Sequence, residues 1–356
     1  MPELTAALGD AAIGLLIQLI RTPSYSREEA QTAALLVDFL RRHGAEPQRA
    51  GHNVWARSQH FDPAKPTILL NSHHDTVKAG ASWTYDPFGA VVEGDRLTGL
   101  GSNDAGASAV SLLATFLHFH QRQDLAYNLV CAITAEEEIS GAGGIRSVLP
   151  LLPPIALGLV GEPTQMDLAV AEKGLVVLDC TAHGRTGHAA RNEGENALYK
   201  ALDDINWIRG YQFPDVSPLL GPVKMTVTQI QAGSQHNVVP DRCLFVVDVR
   251  TNECYSNEQV VALVQQHISA EVKPRSTHLN SSRIALEHPL VQRGRALGRR
   301  TFGSATLSDQ SMMPFDTVKV GPGDSARSHT PDEYILLSEI RGGIQGYIEL
   351  LDGLVL

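Results

Sequence analysis

The chain has 356 residues, 43% apolar and 19% charged, with a formal net charge of −10. That length predicts two domains, and acidic and basic residues intersperse without a basic patch, which argues against a nucleic-acid partner. Cys131, Cys180, Cys243 and Cys254 form no Cys-x-x-Cys pair, which excludes a cysteine zinc site and fits a cytoplasmic protein; no stretch reads as a secretory signal or a membrane span.

In chain order, residues 26–43 read as a helix opened by a Ser26/Glu29 capping box and closed before Gly44. Short apolar runs at 67–70, 128–134 and 156–160 read as buried strands, with a helix over about 104–121 between the first two. A different pattern follows: strand 175–182, helix 195–209, strands 223–231 and 242–250, helix 257–270 and a weak strand near 275–280. That order, βαββαβ, is ferredoxin-like. From about 284 the α/β pattern resumes with a helix at 289–301, a strand at 317–320 and a helix at 337–351. The expected architecture is α/β: a first domain built from 1–174 and 284–356, with 175–283 inserted into it.

Each of four buried-type strands leads into residues able to bind a metal. Thr67–Leu70 runs into His73-His74-Asp75, and Asn128–Thr134 runs into Glu136-Glu137-Glu138. Ala156–Val160 runs into Gly161-Glu162-Pro163, and Thr317–Val320 runs into a Gly-Pro-Gly loop and then His329. In open α/β sheets, ligands bind outside the carboxyl ends of the strands, so groups distant in sequence can converge there. Each feature alone has a plainer reading: a structural histidine, a solvated acidic face, a helix cap at Asp104, a turn at Gly-Glu-Pro. Together, two histidines (His73, His329) and three carboxylates (Asp104, Glu138, Glu162) without a thiolate suit zinc, cobalt or manganese. Three negative charges balance most of two divalent cations, and Asp104 is the candidate for bridging them. Two cations side by side activate water and polarise a carbonyl.

At these residues the chain resembles the dinuclear zinc amidohydrolases that include acetylornithine deacetylase, succinyl-diaminopimelate desuccinylase and carboxypeptidase G. The matching segments are Ser72-His73-His74-Asp75-Thr76-Val77, Trp83…Asp86-Pro87-Phe88, Gly99-Leu100-Gly101-Ser102-Asn103-Asp104-Ala105-Gly106 and Thr134-Ala135-Glu136-Glu137-Glu138. Further on come Gly161-Glu162-Pro163-Thr164, Gly187-His188-Ala189, Asn237-Val238-Val239-Pro240-Asp241 and Ser328-His329-Thr330-Pro331-Asp332-Glu333. The resemblance implies a zinc-peptidase-like catalytic domain with an inserted lid and dimerisation domain, and a homodimer. It implies two divalent metal ions, zinc first and cobalt as the alternative. One would be held by His73, Asp104 and Glu162, the other by Asp104, Glu138 and His329. It also implies Glu137 as general base, Asp75 as the group orienting the His73 ring, and His188 as an oxyanion-stabilising histidine that reaches a partner subunit's site. Asn237 and Arg250 would hold the substrate's carboxylate. Two departures stand out: Glu136 replaces the family's usual Asp, which leaves the register of the three glutamates open, and Ala105-Gly106 replaces Met-Lys.

The implied reaction is deacylation of an N-acyl amino acid. N-acetylornithine leads, with N-acetyl- or N-succinyl-citrulline close behind, in arginine biosynthesis. The rivals are succinyl-diaminopimelate desuccinylation, a dipeptidase or tripeptidase activity, and a non-catalytic binding protein. His60, His118, His120, His183, His236 and His288 read as structural or surface residues, with His236 the nearest to a site segment; Ser308-Asp309 resembles an element near the substrate.

Overall fold

The computed structural model describes residues 2–356, with side chains from Thr5 onward. The chain divides into two compact units. The first comprises residues up to Val170, Ile284–Phe302 and Ser308–Leu356; the second comprises Ala171–Arg283 and Gly303–Leu307. The first junction therefore falls four residues before the one read from the sequence, and Gly303–Leu307 belongs to the inserted unit.

In the first unit, four parallel strands form the centre of a mixed sheet, in the order Asn128–Thr134, Thr67–His73, Leu157–Val160 and Thr317–Lys319. Every residue of these strands is buried, as a sheet covered on both faces requires. Antiparallel strands flank them: Asn53–Arg57 and Gln48–Ala50 on one side, Leu168–Glu172 on the other. The helix Ala107–Phe119 is buried nearly all round, the pattern of a helix with no solvent face. Because the central strands are parallel, their carboxyl ends emerge on one edge, and the loops that follow them share it.

Four sequence expectations are corrected. Ser26 forms no capping box: the helix starts at Ala30 without a side-chain cap, and the Ser26 hydroxyl instead donates to Asp75 Oδ2 at 2.7 Å. The helix expected from 104 begins at Ala107, after an irregular turn over Ser102–Gly106 in which Asp104 is non-helical and the Asp104–Ala105 peptide is cis. The helix expected over 289–301 stops at Ala296, because Gly298 takes a left-handed conformation, φ +80°. A three-stranded sheet of Val91–Glu93, Arg96–Thr98 and Tyr334–Leu336 was not anticipated; three-residue strands carry too little pattern to read.

The second unit is a four-stranded antiparallel sheet ordered Lys224–Ala232, Arg242–Thr251, Gly174–His183, Glu271–Pro274. In chain order this is 2-3-1-4, the ferredoxin-like arrangement. Gly174–His183 alternates buried and more exposed residues, so one face carries the core of Val176, Leu178, Cys180, Phe245 and Val247 under the helices Ala197–Gly210 and Asn257–His267. Both helices start on a side-chain cap: Asn196, and Ser256 in a full capping box with Gln259. The last strand lies at Glu271–Pro274 rather than 275–280; its exposed Lys and Glu masked the alternation. Among the described residues no helix is long and apolar enough to cross a membrane.

Candidate metal centre

His73 is the last residue of its strand and is 1% exposed. Its Nδ1 lies 3.0 Å from the Asp75 carbonyl oxygen and 3.4 Å from Asp75 Oδ1. An acceptor there keeps the ring proton on Nδ1 and leaves the Nε2 lone pair available. Nε2 is buried without a hydrogen-bond partner. It faces three carboxylates: Asp104 Oδ1 at 3.4 Å, Glu162 Oε1 at 3.6 Å and Glu137 Oε2 at 3.8 Å. The other Asp104 oxygen, Oδ2, lies 3.7 Å from His329 Nε2, which is 2.9 Å from Glu138 Oε2. The two oxygens of one aspartate thus face two histidines. Ligand atoms of His73, Asp104 and Glu138 lie within 4.8 Å of one another, as do those of His73, Glu137 and Glu162.

The electrostatics of the cluster call for cations. Burial alone would lower the His73 pKa, yet the carboxylates of Glu137, Asp104, Asp75 and Glu162 push it well above the usual histidine value. Burial, with the charges of Glu162, Asp309 and Glu138, drives Glu137 well above the carboxylate range, against the pull of His73. Glu162 is pushed up to about 8, by burial first and by Asp104 and Glu138 next. His329 rises to about 9 through its bond to Glu138. A group of acids this crowded must take up positive charge, and an unpartnered imidazole nitrogen among carboxylates is the donor set of a divalent metal site. The residues present therefore fit two metal ions.

Of the three glutamates, the first points away from the cluster. Glu136 has φ +56° and turns its carboxylate onto the Gly143 N–H at 3.2 Å. A Cβ on Gly141 or Gly143 would lie 2.0 or 2.3 Å from the Glu136 carboxylate oxygens, so a side chain at either would displace that carboxylate. Glu136 thus braces its own turn, and Glu137 and Glu138 are left to face the cluster. Asp75 holds them: its oxygens accept from the Glu137 N–H at 3.0 Å, the Glu138 N–H at 3.2 Å and the Ser26 hydroxyl. The nearer contact to the His73 ring is the Asp75 carbonyl, and the carboxylate is spent chiefly on the glutamate turn.

Other buried groups were missing from the sequence reading. Glu29, fully buried, accepts from the Arg27 and Glu136 N–H groups at 2.7 and 3.2 Å and meets His52 Nδ1 at 2.6 Å. Glu333, 2% exposed, accepts from the backbone of the Asp104 turn, and burial together with the Asp104 charge pushes its carboxyl up to about 8. The Glu333 partners are backbone N–H groups far away in sequence, and Glu29 combines the nearby Arg27 N–H with the distant Glu136 N–H and His52 ring, so no spacing marks either acid; a buried acid beside a polar motif is the only trace. Ala105-Gly106 also has a reason, since a Cβ on Gly106 would lie 2.4 Å from the Gly101 carbonyl oxygen.

In the second unit, the two-residue strands Gly187–His188 and Val238–Val239 pair, and the Ala189 N–H donates to the Asn237 carbonyl at 3.0 Å. This brings His188 and Asn237, both exposed, into one hairpin-like element. His188 Nδ1 accepts the Ala190 N–H at 3.1 Å, which leaves the ring proton on Nε2. Arg250 stands apart from that pair, with its guanidinium on Asp248 at 2.8 and 3.1 Å.

Residues 69–353 match the sequence profile of peptidase family M20/M25/M40. The chain belongs to this family and is a metal-dependent amidohydrolase. It is 29% identical over 277 residues to a succinyl-diaminopimelate desuccinylase of Dinoroseobacter shibae, covering 73% of each chain. It is 24% identical over 342 residues to one of Cereibacter sphaeroides, covering 90% of this chain and 88% of the relative. Among solved structures, the Bacillus subtilis YXEP protein, a dinuclear metal-binding peptidase of the M20 family, matches with a TM-score of 0.74 at 17% identity, covering 97% of this chain and 98% of that one. A tripeptidase of Staphylococcus aureus matches with a TM-score of 0.75 at 18% identity, covering 96% and 97%.

Proposed function

We propose that this hydrolase removes the acyl group from an N-acyl amino acid, with His73, Asp104 and Glu162 holding one metal ion, Asp104, Glu138 and His329 the other, and Glu137 acting as general base. The observation that supports it is the buried, unpartnered His73 Nε2 ringed by Asp104, Glu162 and Glu137. The imidazole and carboxylate donors, with no thiolate, favour zinc, with cobalt as a functional substitute.

When bound, the two cations supply Lewis-acid polarisation of the amide carbonyl and lower the pKa of water. Glu137 takes a proton from the attacking water as its oxygen bonds the carbonyl carbon. It returns that proton to the amide nitrogen as the C–N bond breaks, which releases a carboxylate and an amine. The high proton affinity that burial gives Glu137 suits a group that must take up a proton and pass it on. Asp75 fixes both glutamates by their backbone. His188 carries its proton on Nε2, the form that donates to an oxyanion. Asn237 and Arg250 are the candidates for the substrate carboxylate; Arg250 would exchange its Asp248 partner for it.

For the acyl group, the named relatives favour N-succinyl-diaminopimelate, of lysine biosynthesis. The segments around His73 and Asp104 favour N-acetylornithine or an N-acyl-citrulline, of arginine biosynthesis. A cytoplasmic homodimer, in which residues 175–283 form the lid and dimerisation domain, accords with four unpaired cysteines and with Lys224–Ala232 at an open sheet edge. The test is a panel of N-succinyl-diaminopimelate, N-acetylornithine, N-acetyl- and N-succinyl-citrulline, dipeptides and tripeptides, assayed with added zinc or cobalt alongside sedimentation. One substrate should exceed the others by at least tenfold in kcat/KM; release of amine from none of them overturns the reading.

A further inference from the structure

Two loops carry the candidate ligands that face both halves of the site, and the Glu333 side chain is one of the links between them. Glu333 follows His329 by four residues. Its Oε1 accepts from the Asn103 and Asp104 N–H groups, both at 2.8 Å, and its Oε2 accepts from the Gly101 N–H at 3.0 Å. Its carbonyl accepts from the Gly99 N–H at 2.9 Å. Successive N–H groups converging on one anion form a backbone nest, and here the anion is a side chain of the chain itself. Asn103 completes the link from the other direction: its Oδ1 accepts from the Asp324 N–H at 3.0 Å, and its Nδ2 donates to the Asp324 carbonyl at 3.1 Å.

Apart from Glu333, the Asp104 turn is held by the Gly106 N–H on the Gly101 carbonyl at 3.0 Å and the Ser102 N–H on the Gly99 carbonyl at 3.1 Å. It is irregular, and its two glycines admit no side chain: a Cβ on Gly101 would meet Thr76 Cγ2 at 2.6 Å, and Gly101 sits at φ +73°. Yet Asp104 must present one oxygen toward His73 and the other toward His329. Rotation of the 103–104 peptide plane would swing the Asp104 side chain off both.

We propose that Glu333 is a positioning residue that sets the bridging geometry of Asp104 by clamping the backbone of its turn. The proposal rests on the reading of Asp104 as the bridging ligand. Three bonds from backbone N–H groups to the two oxygens of one side chain fix the plane of the turn. An amide in place of the carboxyl group keeps the oxygen shared by Asn103 and Asp104 but sets an NH2 group against the Gly101 N–H. The acid is thus required for its second acceptor oxygen.

The test compares Glu333→Gln, Glu333→Asp and Asp104→Asn in full-length protein. Zinc affinity at each site is read by chelator competition, geometry by the visible absorption of the cobalt-loaded protein, and unfolding is followed in chelator. Glu333→Gln should bind at least one metal roughly 10–100-fold more weakly, alter the cobalt spectrum, and lower kcat with KM little changed. Glu333→Asp, which keeps charge but not reach, should fall at least as far. Wild-type zinc affinities and cobalt spectrum in folded Glu333→Gln overturn the proposal, even if its metal-free form unfolds earlier, because that pattern is a purely structural role. Two metals bound with wild-type affinity by Asp104→Asn would instead overturn the bridging reading itself. Should neither Glu333 variant fold, amide exchange in chelated wild-type protein decides: protected Gly101, Asn103 and Asp104 support the clamp, and rapid exchange at all three overturns it.

Discussion

The two histidines of the metal centre sit in opposite surroundings. The His73 side chain is 1% exposed and meets Asp104, Glu162 and Glu137 with its one unpartnered nitrogen, while the His329 side chain is 54% exposed and already pairs with Glu138. In the deep half the strand, the Asp75 carbonyl and buried neighbours all fix the ring, and burial and mutual repulsion drive the crowded acids toward their protonated form. The open half is a pair that water can compete for. Equal chemistry in unequal burial implies unequal hold on the two metals.

The strongest way to break this picture is to remove the proton carrier that faces the deep half. Glu137→Gln should retain both metals, measured by elemental analysis, and lose ~10²–10⁴-fold in kcat. Turnover near wild type would move the base elsewhere. Ligand deletion comes next. His73→Ala should weaken its metal by more than the roughly 10–100-fold that loss of an outer partner costs, whereas His329→Ala should lose one metal and keep the other near its original affinity. Equal losses in the two variants would dissolve the comparison. A milder test needs no mutation: graded chelation of wild-type protein should remove metal in two steps. The first should be abolished in His329→Ala, and a single step would show that the halves are held alike.

The gathering of the candidate ligands was legible because a parallel sheet converts chain position into spatial position: a residue just past a buried strand must lie at the shared edge. That argument reached His73, Glu137, Glu138, Glu162 and, through the strand at 317, His329. It could not reach Glu333, whose hydrogen-bonded side-chain partners are backbone amides with no side-chain identity, or Glu29, which follows no strand. It misread Ser26 because a hydroxyl three residues before a glutamate has the same letters whether it caps a helix or serves Asp75. Asp104 was placed at a helix start, whereas its turn is irregular and the helix begins at Ala107. In the second unit, buried alternation made the long strands plain, while the four-residue strand at 271 was displaced by its charged face. His188 and Asn237 rested on resemblance, and no side-chain pattern predicted that the Ala190 amide would set the His188 tautomer.

The smallest expected effect concerns the floor of the deep half. Asp309 is 2% exposed, and its Oδ2 accepts the Thr134 hydroxyl at 2.8 Å. Burial first, and the Asp75 charge next, push this carboxyl up to about 7 against the Thr134 hydroxyl and His73. A carboxyl raised above its unfolded value of about 3.9 favours the native state while protonated. Its contribution is complete below that unfolded value and is lost as pH rises through the native one. Asp309→Asn keeps the acceptor for Thr134 and removes the ionisation. In chelated protein, the unfolding free energies of wild type and variant should therefore diverge between about pH 4 and pH 7, the wild type losing ground to the variant as pH rises. Restored metal should shrink the divergence, because cations near His73 compensate a charged Asp309. Parallel curves across that range would mean that the deep half carries its negative charge without a proton, and the contrast with the open half would then rest on rigidity alone.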